Sequence, residues 1–80
     1  MGLSREALVT YLTERMGLDA DVVEDDVPLF SSGLLDSFSM VDMIMFVEKE
    51  AGVRLSPTEV SLDNLDSIAR IRAFVDAKTQ

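Results

Sequence analysis

Cysteine and histidine are both absent from the 80 residues. Without Cys there is no disulfide framework and no thiol chemistry from the protein itself. Without His, a Ser-His-Asp triad and the common zinc sites are excluded. A reactive thiol would have to be attached from outside. Basic residues are missing from the middle of the chain: no Lys or Arg occurs between Arg15 and Lys49, whereas Asp19, Asp21, Glu24, Asp25, Asp26, Asp36, Asp42 and Glu48 all fall there. Long apolar runs are missing too, none approaching the ~20 residues of a membrane span. No secretory signal pattern is present. Met1-Gly2 fails the myristoylation pattern because Glu6 stands where Ser or Thr is required. A cytoplasmic protein that does not engage membranes is expected. There is no internal repeat, low-complexity run or strand-like alternation.

Hydrophobic residues make up 48 % of the chain, which argues for a folded globule and against disorder. The length fits one domain, residues 1–80, near the lower limit at which a core holds a fold without staples, with ~60–65 % of the unfolded surface buried. The formal net charge of −8 repels nucleic acid and favours basic partner surfaces. Because the basic residues sit at the two ends of the chain, one side of the molecule should carry a negative field. The plainer alternative is a charge that serves solubility.

Helical periodicity organises the chain. Ser4 is a suitable N-cap for a first helix, with Glu6 in its first turn, Leu8, Leu12 and Met16 at helical spacing, Val9 and Tyr11 flanking, and Gly17 as a stop. Tyr11 reads as a core or rim residue. Residues 17–36 form a long connection, acidic at first, then marked by Val27-Pro28 and Ser31-Ser32-Gly33 turn chemistry. About twenty residues of loop in so small a domain must pack something or do something. Leu29, Phe30, Leu34 and Leu35 are its expected apolar anchors.

The second helix is predicted from about Ser37 to about Ala51, ended by Gly52, with Met40, Met43, Ile44, Val47 and Ala51 on its buried stripe. Phe38, Val41 and Met45 fall on the opposite side among Asp42, Glu48 and Lys49. Exposed apolar residues rimmed by acids suit transient docking, and methionine suits a surface that fits several partners. Scattered exposed apolar residues also occur without function. Phe46 lies at the edge of both stripes and is not assigned. Ser56-Pro57-Thr58-Glu59 fits a capping box that starts a very short helix. Leu62-Asp63-Asn64-Leu65 suits another single turn. Asp66 or Ser67 then caps a last helix carrying Ile68, Ile71, Phe74 and Val75, with basic Arg70, Arg72 and Lys78. The predicted fold is all-α: a four-helix bundle with three longer helices and one short third helix.

One stretch joins the turn-rich loop to the most apolar helix: Gly33-Leu34-Leu35-Asp36-Ser37-Phe38. Asp36 is placed to cap the helix, which puts Ser37 at the first helical position with its hydroxyl toward solvent. Asp-Ser by itself marks an ordinary helix start. Together with the length, acidity and helix order, however, this stretch resembles the acyl and peptidyl carrier protein family over nearly the whole chain. The resemblance implies that Ser37 carries covalent 4′-phosphopantetheine, with Asp36 as part of the motif, and that Phe38, Val41, Asp42, Met45 and Glu48 form the recognition surface. Two departures stand out: Phe38 occupies a position usually held by Leu or Met, and two leucines separate Gly33 from Asp36 where many members have one residue. The Gly-Leu-Leu-Asp-Ser form is closer to discrete aminoacyl carriers, D-alanyl carriers among them, than to the fatty-acid type.

What the resemblance implies is a non-enzymatic, monomeric, discrete carrier whose arm holds an acyl or aminoacyl group as a thioester. A phosphopantetheinyl transferase would install the arm. An adenylating ligase or acyltransferase would load it, and a synthase, condensation or transfer enzyme would unload it. The expected setting is a natural-product pathway of polyketide or nonribosomal-peptide type, with a D-alanyl or fatty-acid-type carrier as the alternative. The rival from another class is an unmodified helical interaction module. A free-standing enzyme is disfavoured by the lack of His, Cys and any clustered acid-base pair.

Overall fold

The structure, a computed structural model, describes residues 3–79. Helix α1 spans Arg5–Thr10 and starts where the sequence places it, the Ala7 N–H donating to Ser4 Oγ at 3.1 Å. It runs on into a π-helical turn, Tyr11–Arg15, closed by Met16 N–H donating to the Tyr11 carbonyl at 3.3 Å. That widened turn is not signalled by the periodicity, because one extra residue per turn leaves Leu8 and Leu12 facing the core all the same. Thr13 Oγ1 also donates back to the Val9 carbonyl at 2.9 Å, taking up an acceptor within the distorted turn.

Helix α2 covers Ser37–Ala51, as expected. Gly52 ends it with φ +68°, a left-handed conformation that only glycine adopts without steric cost, and donates its N–H to the Glu48 carbonyl at 2.9 Å. Ser56 opens a single 3₁₀ turn, Pro57–Glu59, with Glu59 reaching back to accept the Ser56 backbone N–H at 2.9 Å. Helix α3 is the one-turn segment Leu62–Leu65, and α4 spans Ile68–Thr79. Of the two residues weighed as its cap, Ser67 takes the role: its Oγ accepts from the Arg70 N–H at 3.2 Å. These four α-helices among the described residues give the all-α bundle with one short member that the sequence implies.

Each helix turns one apolar stripe inward. Leu8 and Leu12, Met43 and Val47, Leu65, and Ile68, Ile71 and Val75 are completely buried. Burying one such side chain is worth ~1.5–3 kcal/mol relative to exposure, so this shared core outweighs any single polar contact. Ile44, Ala51 and Phe74 pack against it from the rim.

The connection between α1 and α2 folds back over the same core. Val23, Leu29 and Leu35 are its buried feet, and Phe30 is half-buried. A short 3₁₀ turn, Ala20–Val22, breaks its acidic half, which the sequence reading treated as loop. Leu34, expected as an anchor, lies largely outside at 36 % exposure. The backbone explains the difference: Leu35 N–H donates to the Leu29 carbonyl at 2.8 Å, folding the chain so that Leu35 points inward and its neighbour cannot.

Candidate functional site: the serine at the head of α2

The approach to Ser37 is a closed turn. Gly33, at φ +90°, donates its N–H to the Phe30 carbonyl at 3.1 Å, and the Ser32 hydroxyl donates to the Pro28 carbonyl. Asp36 then caps α2 as predicted, accepting the Ser39 N–H on Oδ1 at 2.9 Å. That hydrogen bond holds the Asp36 carboxyl below its usual range. Ser37 follows as the first helical residue and is exposed.

This arrangement presents a hydroxyl without activating it. Asp36 is committed to the helix terminus, and with no His or Cys in the sequence there is no base or thiol to raise the nucleophilicity of Ser37 from within. Among the described residues, no cluster of His, Cys, Asp and Glu could hold a metal ion. A phosphodiester on Ser37 Oγ fits the site: the first N–H groups of α2 have no intrahelical acceptor and the helix dipole favours an anion there, while the Asp36 charge opposes it.

Phe38, Val41 and Met45 are 86 %, 59 % and 63 % exposed and share one side of α2, as the 100° spacing implies. The two acids assigned to the same surface are not free. Asp42 accepts a hydrogen bond from the Tyr11 hydroxyl and pairs with Arg15 at 3.2 Å. Glu48 accepts the Leu55 N–H at 2.9 Å, which closes the chain after Gly52 back onto α2. Both are half-buried. Their carboxylates make contacts inside the chain, beside the three apolar residues that form the most open part of this face. Phe46, left unassigned, stacks on Tyr11 with ring centroids 4.2 Å apart and planes inclined by 15°. Burial and the Asp42 carboxylate push the Tyr11 hydroxyl well above its ordinary pKa.

Sequence reasoning weighed Asp66 only as a cap for the last helix and missed its hold on the loop. Its carboxylate accepts the backbone N–H groups of Phe30 and Ser31 on one oxygen, at 2.8 and 3.0 Å, and the Ser31 hydroxyl on the other at 2.6 Å. Burial raises its pKa, but these donors outweigh that and hold it low. The one available signal was two adjacent cap-type residues, Asp66 and Ser67, where a helix needs only one.

The bundle thus presents an exposed hydroxyl, Ser37, at the start of its longest helix, beside an exposed apolar strip. The model of the family described as "Phosphopantetheine attachment site" matches residues 6–75, and the chain belongs to this carrier protein family. A D-alanyl carrier protein of Abiotrophia defectiva is 38 % identical over 71 residues, covering 88 % of this chain and 90 % of the relative. A D-alanyl carrier protein of Bacillus pumilus is 36 % identical over 58 residues, 64 % of this chain and 74 % of the relative. An acyl carrier protein of Thermotoga maritima is 25 % identical over 69 residues, 86 % and 83 % of the two chains. The protein therefore carries 4′-phosphopantetheine covalently and works with a phosphopantetheinyl transferase and partner enzymes. Carrier proteins are in general not catalysts. No described helix is long and apolar enough to cross a membrane.

Proposed function

We propose that Ser37 is the attachment point and that the chain acts as a single-domain, monomeric D-alanyl carrier in the cytoplasm. An adenylating ligase loads the arm, and a separate transfer enzyme docks on Phe38, Val41 and Met45. The observation that carries the reading is the exposed Ser37 at the first position of an Asp36-capped helix, at the end of a closed turn. When bound, the prosthetic group supplies a thiol on a flexible arm that holds the cargo as a thioester. The protein's own contributions are to present the hydroxyl, to favour an anion at the helix start, and to offer weak contacts that release after each transfer.

Two features support an aminoacyl cargo. The Gly-Leu-Leu-Asp-Ser form is the one associated with discrete aminoacyl carriers, and two of the relatives bear the D-alanyl name. The net charge of −8 also suits a cargo that keeps a free ammonium group. Of these, the names of the relatives favour D-alanine over the natural-product cargo expected at first.

Incubating the protein with a broad-specificity transferase and coenzyme A should add the mass of one phosphopantetheine, and Ser37→Ala should add none. Offering the modified protein and a D-alanine-activating ligase a panel of amino acids should then give a D-alanyl thioester by intact mass. Mass gain on the Ser37→Ala variant would rule out the attachment point. Loading of another acid, and not of D-alanine, would return the protein to the natural-product class.

A further inference from the structure

We propose that Asp66 is a positioning residue for modification of Ser37, acting through the turn that leads into α2. The inference rests on Ser37 being the attachment point. Asp66 lies 29 positions from Ser37 in the sequence, at the junction of α3 and α4, yet it makes the polar contacts that fasten the turn to the bundle. Oδ1 accepts both Phe30 N–H and Ser31 N–H, Oδ2 accepts the Ser31 hydroxyl, and the Asp66 carbonyl accepts Leu29 N–H. One residue therefore fixes three consecutive residues of the loop.

The clamp is relayed onward by a short path. The Leu29 carbonyl accepts Leu35 N–H at 2.8 Å, the Leu35 side chain is buried, and Asp36, the next residue, caps α2. With residues 29–31 held at one end and the Asp36–Ser39 cap at the other, the intervening segment has little room to move, and Ser37 meets the transferase in one orientation. A second tie, Ala69 N–H to the Asp25 carbonyl at 3.1 Å, fastens the start of α4 to the connection upstream, so loss of Asp66 leaves the loop attached while freeing the turn nearest Ser37. The effect belongs to recognition: a mobile turn must be ordered each time the enzyme binds, which weakens the encounter without altering chemistry in the complex.

The geometry also separates the possible substitutions. Both backbone donors converge on one oxygen, which the carbonyl of an asparagine reproduces, and the Ser31 hydroxyl can rotate to accept from the amide. Asp66→Asn should therefore preserve the clamp, and Asp66→Ala should remove its side-chain part, the hold on Phe30 and Ser31, leaving only the main-chain bond to Leu29 N–H.

The test is steady-state transfer of phosphopantetheine from coenzyme A to the wild-type protein and to Asp66→Ala, Asp66→Asn and Ser31→Ala. Val75→Ala serves as a core variant that loses stability away from the turn. Expected are a roughly tenfold rise in KM for the protein substrate in Asp66→Ala with kcat within twofold, a return to within threefold in Asp66→Asn, and a two- to threefold rise in Ser31→Ala. Val75→Ala should leave KM unchanged. An unchanged KM in Asp66→Ala, or an equal rise in Val75→Ala, overturns the proposal. Should Asp66→Ala not fold, an unchanged KM in Ser31→Ala overturns it. If the wild-type protein gains no mass at Ser37, it is the assignment of the attachment point that fails.

Discussion

At the scale of single residues, two carboxylates set different properties. Asp36 accepts one backbone hydrogen bond, at 2.9 Å, where α2 begins. Removing this cap leaves a backbone N–H of the first turn without its acceptor, so Asp36→Ala should lower the urea midpoint while far-ultraviolet circular dichroism at neutral pH keeps most of its helical signal. Glu59 should make part of the stability depend on acid. Hydrogen bonds from Lys78 first, and then from Ser56, lower its pKa from 4.5 to about 2. A folded-state pKa below the unfolded one means the stabilisation is present above about pH 4.5 and is lost as pH falls toward 2. Asp36 and Asp66 shift in the same direction. Thermal melts should therefore move down over this window, and Lys78→Met should flatten the descent; an unaltered slope would show that the Glu59–Lys78 contact does not persist in solution. Legibility in the sequence followed distance along the chain. The caps of Ser4 and Asp36 and the Ser56–Glu59 box join residues three apart and could be read directly. Asp42 bonded to Tyr11 across 31 positions, and Asp66 bonded to Phe30 across 36, leave no periodic trace.

Among the elements, α2 does the most and was the most legible, because fifteen residues give enough repeats for its two faces to separate and Gly52 marks its end. Its exposed side gives a prediction about docking: Met45→Asp should slow transfer of the loaded group to a partner severalfold while leaving phosphopantetheine attachment and helicity nearly unchanged. Equal transfer rates in single-turnover mixing would remove this face as the contact. Asp42 is a poorer probe, since changing it also breaks contacts with Tyr11 and Arg15 that hold α1 to α2. Those contacts have their own test. Tyr11→Phe keeps the stack on Phe46 but leaves Asp42 with Arg15 alone, and chemical denaturation should register a loss of ~1–2 kcal/mol. The π-helical turn brings Tyr11 and Arg15 to Asp42 on α2, 31 and 27 positions away, and contacts at that separation leave no trace in a single sequence.

For the whole molecule, charge and size act together. With a net charge of −8 on 80 residues, mutual repulsion raises the energy of the folded chain, while the same field favours encounter with basic surfaces. Added salt should shift the two in opposite senses: the melting temperature should rise slightly between low and physiological ionic strength, while association with a partner measured by stopped flow slows. A rate independent of salt would mean that apolar contact alone guides the encounter. Ser37, the proposed root of the arm, and Met45, the proposed grip for an enzyme, belong to the same uninterrupted helix, separated by ~12 Å at 1.5 Å per residue. That helix is a ruler. On the proposed assignment, every enzyme that serves this protein would inherit the same offset between its gripping pocket and the mouth of its reaction chamber, so unrelated catalysts would be constrained to one common spacing by the carrier they share.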